Sequence, residues 1–448
     1  MAALCDWAAG TRIDDIPDTA LRQAVAVIGD NLGAIVASRD EPEVVRAQTR
    51  ILEASERAEA TVFRGGRPRA ERTMAAVANG LAGNGAQLDP GYRKAQCHAG
   101  LYIVPALLAE AEATGLSVAD VLRAVVLSFE ITTRLPRAWP MGTAKLYPAA
   151  VFCAVGAASA IGVARRLPPD ALLGALGTAS TLIQVGPFGH SVDGLLVCNA
   201  WAGTGAWTGM MAVDWAGMGF AGTGESFYDV YTDILGTDVH PSRLIDGLGE
   251  DWAIEYSFHK PYSSCGYTHS AIEASLAVLE ELPDEGRADA IRDVVVEASA
   301  LALSLDNEKP ENGLASRFST QHAVAAPLVL GHALPEAFGT AALASPEIDA
   351  LRHRIVLKEF EPTLPPPHDR PARITVTLTD GRRITRECLS AKGGPDRPYA
   401  MVELFGRLET WLAPTYPRLA QRLHDLTALS AADLGRGWDT LLPDILRD

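Results

Sequence analysis

The chain has 448 residues and six cysteines, but no CxxC pair. Cys5, Cys97, Cys153, Cys198, Cys265 and Cys388 are scattered, in neither a zinc-knuckle spacing nor a disulfide frame. The opening "MAALCDWAAGTRIDD" lacks the basic-then-apolar order of a secretory signal. Reduced thiols and a cytoplasmic location are therefore expected. No uninterrupted run of 18 or more apolar residues occurs, so no membrane partner is expected. Positive charge is also in short supply: 39 Lys and Arg face 55 Asp and Glu, a net charge of −16. A surface of that sign repels DNA and anionic lipid, which argues against nucleic acid as a partner. A small anionic substrate is not excluded, because a local cluster of bases can outweigh the global field.

The familiar cofactor signatures are missing as well. No GxGxxG follows a strand, and neither GxxxxGK[ST] nor HExxH is present. "GNG" at Gly83 to Gly85 precedes no strand-like segment. Neither cofactor nor metal is expected. The absence of GxSxG removes the serine hydrolases built on that elbow.

What the chain does have is helix, in two blocks. A length of 448 residues predicts more than one domain. "DTALRQAVAVIGDNLGAIVAS" and "EPEVVRAQTRILEASERAEATVF" run apolar at helical spacing. "VPALLAEAEATGLSVADVLRAVVLSFEITTRL" predicts two helices split at Gly115, with Ser117 as N-cap. A further helix pair lies between Ala149 and Gln184, the second member opening at Pro168 and Pro169. "NAWAGTGAWTGMMAVDWAGMG" is a Gly/Ala-rich helix able to approach a neighbour closely. After Tyr256 the character changes. Val294 to Val296 is a β-branched run, "HRIVLKEF" reads as a strand, and "ARITVTLTDGRRITRECL" alternates around an Asp-Gly hairpin turn. Beyond Gly393 helices return. The expected fold is mainly α: a large all-helical domain over residues 1–250, completed by 400–448, with a smaller α+β lid over 251–399.

Four polar windows stand out. "LDPGYRKAQCHAG" gathers Asp89, Tyr92, Arg93, Lys94, Cys97 and His98 in one loop. "KPYSSCGYTHSAIEA" places Lys260, Tyr262, Cys265, Tyr267 and His269 ahead of a helix, whose N-terminus suits an anion. "ASRFSTQHAVAAPLVLG" opens a helix with Arg317, Ser319 and His322, while "GTAKLYPAAVF" offers Lys145 and Tyr147. Arginine suits bidentate carboxylate binding, and histidine carries protons near neutral pH. The residues alone leave two readings open for each window, a pocket wall or an ordinary capped turn with a satisfied histidine.

The order of "IPDTALRQAVAVIGDNLGAIVAS", "HAGLYIVPALLAEAEATGLSVADVLRAVVLSFEITTRL", "KPYSSCGYTHSAIEA" and "PARITVTLTDGRR" resembles the MmgE/PrpD family, from about Ile16 to about Trp411. That resemblance implies a helical domain, an α+β lid, a homodimer and a cleft between the domains. It also implies cofactor-free proton transfer beside a carboxylate, ending in loss of water, loss of CO2 or epimerisation. His98 falls where the family's "HPG" histidine lies, His269 matches its "KPYPxCxxTH" histidine, and Asp89 matches the first aspartate of the "LDxDDTH"-like loop within one residue. Tyr92 falls where a threonine is frequent. At the "GxHPT" site the chain reads "KLYPA", so Tyr147 replaces a histidine. At the "TKxLH" site it reads "DGLLVCN", without the lysine.

The implied catalytic set is His98, His269, Asp89, Tyr147 and His322. Tyr92, Lys145, Lys260, Arg317 and Cys265 form the implied substrate-binding set. A tyrosine, with an ordinary pKa near ~10 against ~6.5 for histidine, suits proton donation. The leading expectation is a dehydratase or decarboxylase of a small organic acid with fewer carboxylates than citrate. The alternatives are an isomerase or epimerase, and a non-catalytic ligand-binding protein.

Overall fold

A computed structural model describes residues 1–141, 145–283 and 286–447. The fold is mainly α, with a small α+β part. Its largest hydrophobic core is helical. It is built from α1 (Asp18–Ala37), α2 (Arg72–Gly83), α3 (Ala99–Thr114), α4 (Val118–Ala138), α5 (Pro148–Ala164), α6 (Pro169–Thr181) and α7 (Val197–Gly217). α5 is apolar all round and sits at the centre, buried along nearly its whole length. α7 crosses it closely because of its glycines: a Cβ at Gly209 would lie 2.4 Å from the Ala154 carbonyl oxygen. The split between α3 and α4 falls at Gly115, which takes φ 69°, and Ser117 Oγ accepts from the Asp120 N–H.

α1 refines the sequence expectation about membranes. Asp18, Arg22, Asp30 and Asn31 interrupt any apolar run, yet by length and composition alone this helix could span a bilayer. In the fold, 83% of its most apolar window is buried against neighbouring helices. The helix expected over Glu41 to Phe63 is shorter than the pattern suggested. It stops at Ala54, and Ala60–Thr61 (β1) pairs with Arg69–Ala70 (β2) instead.

A second core belongs to α8 (His269–Val278), α9 (Thr320–Leu330) and a four-stranded sheet. The sheet holds β5 (Ile291–Ala298), β6 (Ile355–Glu359), β7 (Ala372–Leu378) and β8 (Arg383–Cys388), in the order β6-β5-β7-β8. β5 runs parallel to β6 and antiparallel to β7. β7 and β8 form the hairpin turned at Asp380 and Gly381. The chain then returns to the helical core through α10 (Met401–Leu412) and α11 (Leu419–Leu426), whose Phe405, Leu408 and Leu423 face Gly29 of α1.

Two features tie the cores together. Gly91–Tyr92 (β3) pairs antiparallel with Ser257–Phe258 (β4), fixing the Asp89–His98 loop to the start of the second unit. Beneath it, Asp30 of α1 contacts His259 Nδ1 at 2.6 Å and the Arg407 guanidinium of α10 at 2.5 Å. Burial raises the Asp30 carboxyl pKa, but Arg407 and His259 outweigh that effect and leave it lowered. Breaking such a buried pair from one side costs about 3–5 kcal/mol. The junction beneath the site is therefore firmly held.

Candidate active site

The inner cavity lies at this junction and has a volume of about 50 Å³. Its walls combine the Tyr92–His98 loop, the start of α5, the Lys260–Tyr267 segment and Arg370. The chemistry starts at Asp89, which is fully buried behind the wall. One carboxylate oxygen lies 2.6 Å from His98 Nδ1, a close ion-pair contact that is not aligned as a hydrogen bond. The other accepts from Lys260 Nζ at 3.3 Å.

Burial alone would raise the Asp89 pKa. Lys260 and then His98 overcome that effect and hold the carboxyl at about 2. Asp89 is thus a fixed negative charge. It favours the His98 tautomer protonated at Nδ1, leaving Nε2 as the free nitrogen of a residue on the cavity wall.

The local backbone explains how these groups meet. His98 is the N-cap residue of α3, so it sits where the loop from Asp89 enters the helix. Gln87 takes φ 52°, a left-handed conformation unusual for a side-chain-bearing residue. Its carbonyl accepts from Lys260 Nζ at 2.9 Å, and its side chain donates to Asn84. Lys260 therefore approaches Asp89 already oriented.

Tyr147 lines the opposite wall, with its ring stacked on Phe188 and tilted against Trp201 and Phe318. Burial pushes its phenol well above the ordinary value, with the Asp89 charge adding to the effect, so the group stays protonated. It can donate a hydrogen bond or a proton. Tyr92 also lines the cavity, and its buried hydroxyl has no protein hydrogen-bond partner. Cys265 lines it too, but burial raises its thiol pKa, which disfavours a thiolate.

Four residues expected in the site lie elsewhere. His269 is fully buried at the start of α8; its Nε2–H donates to the Ser264 carbonyl at 3.1 Å, and Phe258 and Tyr262 pack on the ring. Burial, with Lys260 as a secondary cause, drives its pKa down to about 3, so it is a neutral core histidine. His322 is likewise buried, with Nε2 donating to the Ala337 carbonyl at 2.9 Å and Nδ1 facing Arg352. Burial lowers its pKa to about 4.

Arg317 is committed to Glu41 Oε1 at 2.7 Å and to Ser263, with 3% of its side chain exposed. It braces two segments instead of facing a ligand. Lys145 is exposed and does not line the inner cavity.

The structure also brings in a cation that the sequence patterns missed. Arg370 follows the proline-rich turn in "PTLPPPHDRPARI" and reaches the inner cavity from the smaller unit. Its guanidinium lies over the Tyr267 ring at 5.0 Å, while its Nε has no hydrogen-bond partner. Burial and then the neighbouring Arg93 lower its pKa, so an anion beside it would be welcome. The adjacent Asp369 is shared: Arg93 holds one carboxylate oxygen at 2.6 Å, and the other lies 3.7 Å from Arg370 Nε, an ion-pair contact too long for a hydrogen bond. A lone arginine in a turn carries no spacing signal, and only the fold brings it to the same cavity as Lys260. Among the described residues, no three His, Cys, Asp or Glu side chains are grouped as a metal site.

One small cavity thus gathers a histidine beside a buried aspartate, a protonated tyrosine and two cationic side chains, where the helical core meets the smaller α+β part. The model of the MmgE/PrpD N-terminal domain matches residues 2–231, and that of the MmgE/PrpD C-terminal domain matches residues 262–430. The chain belongs to the MmgE/PrpD family. A relative, the cis-aconitate decarboxylase-like protein oryM of Aspergillus oryzae (strain ATCC 42149 / RIB 40), is 25% identical over 428 residues. That alignment covers 88% of this chain and 86% of the relative.

Proposed function

We propose that the protein is a lyase that removes water or CO2 from a small organic acid by side-chain acid–base chemistry at this cavity. The observation that carries the reading is the Asp89–His98 pair, with Lys260 on the same carboxylate and Tyr147 across the cavity. Arg370 and Lys260 bind the substrate carboxylate. In dehydration, His98 Nε2 takes the proton from the carbon beside that carboxylate. The electron pair left behind expels the hydroxyl, which leaves as water after accepting the Tyr147 proton. In decarboxylation the C–C bond electrons stay on carbon as CO2 departs, and protonated His98 delivers a proton to that carbon. Similarity to the cis-aconitate decarboxylase-like protein oryM favours the second route, and cis-aconitate is the first acid to try.

The test is incubation with a panel of mono-, di- and tricarboxylates in D2O, followed by NMR. A lyase yields an unsaturated or decarboxylated product. Deuterium entering recovered acid without such a product assigns an epimerase instead. An absence of turnover and exchange across the panel removes the catalytic reading.

We further propose that the protein works as a homodimer. Leu195, Leu196, Val197 and Trp207, on and just before α7, are apolar and exposed, which supports a self-association face. Light scattering at micromolar concentration that gives the mass of one chain would reject this.

A further inference from the structure

The inner cavity has room for the acid head of a substrate but not for a long chain attached to it. About 50 Å³ accommodates only a few ordered waters. Beside it lies a second cavity of about 960 Å³, and the two share Arg93, Ala95, Gln96 and Pro148 as walls. This outer cavity is no simple polar entrance. Its walls include Pro136, Pro140, Met141, Phe152, Pro367 and Pro395, which offer apolar surface and few hydrogen bonds.

Charge is arranged at particular points in it. Lys94 is paired with Asp251 at 2.6 Å and lies over the Tyr256 ring, and Arg93 is held by Asp369. Arg137 and Arg243 line the same cavity and have no ion-pair partner among the described residues. Against a net charge of −16, a cavity with two uncommitted arginines draws anions locally.

Given the lyase reading, on which this inference rests, we propose that the outer cavity receives an apolar extension of the substrate. The acid head is held at His98, Lys260 and Arg370, and a hydrocarbon chain passes Ala95 and Pro148 to lie against the proline- and methionine-lined wall. The substrate class is then a carboxylic acid carrying an alkyl or similar apolar chain several carbons long, in place of a bare di- or tricarboxylate. Arg137 and Arg243 attract the acid during entry. The chain supplies binding energy remote from the reacting carbon, which holds the head in place.

Calorimetry with straight-chain monocarboxylates from butanoate to decanoate tests this on the full chain. Each methylene that reaches the outer cavity should tighten binding about 4-fold. The Ala95→Phe variant, which narrows the shared throat, should bind octanoate no better than butanoate. Met141→Gln should weaken octanoate but not butanoate. A flat chain-length series in the wild type overturns the proposal. So does a preference for tricarboxylates that collapses with salt, which would make the outer cavity an anion vestibule only. The two readings fail separately. A chain-length slope without turnover of any acid removes the lyase and keeps the chain site. Turnover of short acids with a flat series does the reverse.

Discussion

Two histidine-bearing regions look equally promising along the chain, and the fold gives them opposite chemistry. In the wall of the helical domain, His98 stands on the inner cavity with Asp89 at Nδ1 and Lys260 behind. In the smaller unit, His269 and His322 sit in the core, each donating Nε2–H to a backbone carbonyl. The first arrangement sets a buried carboxylate against a ring that lines the cavity. The second penalises a charged ring through desolvation. A histidine near a helix start is thus a catalytic candidate only when a carboxylate compensates its burial and a ring nitrogen remains free.

The contrast can be broken most forcefully at Asp89. Asp89→Asn leaves the Lys260 ammonium buried without a counter-charge, which costs about 3–5 kcal/mol of stability. It also removes the tautomer bias on His98. We expect a clear fall in urea midpoint together with at least ~10²-fold loss of kcat/KM. Intact stability and activity would show that the buried carboxylate does neither job.

Arg370 sharpens the comparison from the smaller unit. Arg370→Gln keeps the shape but loses the bidentate cation, so KM should rise by roughly tenfold or more, with a smaller change in kcat. Arg317→Gln, by contrast, breaks the pair with Glu41 and should lower the melting temperature without that KM signature.

The pH dependence separates the two regions by sign. His269 and His322 have folded pKa values lowered to about 3 and about 4, so the unfolded chain binds their protons more readily. Their contribution to stability is complete above the unfolded value near ~6.5 and is lost as pH falls from there toward 4 and then 3. Asp89, lowered to about 2, adds a loss in the same direction only below ~4. His269→Phe should therefore flatten the stability slope between pH 6.5 and 4. Chemical denaturation at stepped pH measures it, and an unchanged slope would mean that His269 is not buried neutral.

Much of the architecture was legible in the chain because it rests on local signals. The Gly115 break, the Ser117 cap and the Asp380–Gly381 hairpin each follow from one or two residues whose backbone preferences are strong. Helical spacing over-extended the segment from Glu41, because the pattern cannot see that Ala60 and Thr61 gain a strand partner in Arg69 and Ala70. In the site, Asp89 and His98 share one loop and so could be paired from sequence. Lys260 could be named but not its contact with Asp89. His269, His322 and Arg317 do not line the inner cavity, because burial and long-range partners decide where they sit, and residue spacing carries neither. Arg370 was invisible for the same reason: its loop is held in place by the contact of Arg93 with Asp369, across 276 positions of chain.

The central claim is that acid–base work belongs to His98 and not to His269. Measuring kcat/KM for His98→Gln and His269→Gln on one turned-over acid, with the folded fraction of each variant determined, tests it most directly. The account predicts a loss of ~10²–10⁴-fold for His98→Gln with little change in stability. For His269→Gln it predicts activity per folded molecule within a few-fold of wild type and a lower melting temperature. Loss of turnover in a fully folded His269→Gln, or its survival in His98→Gln, would contradict it.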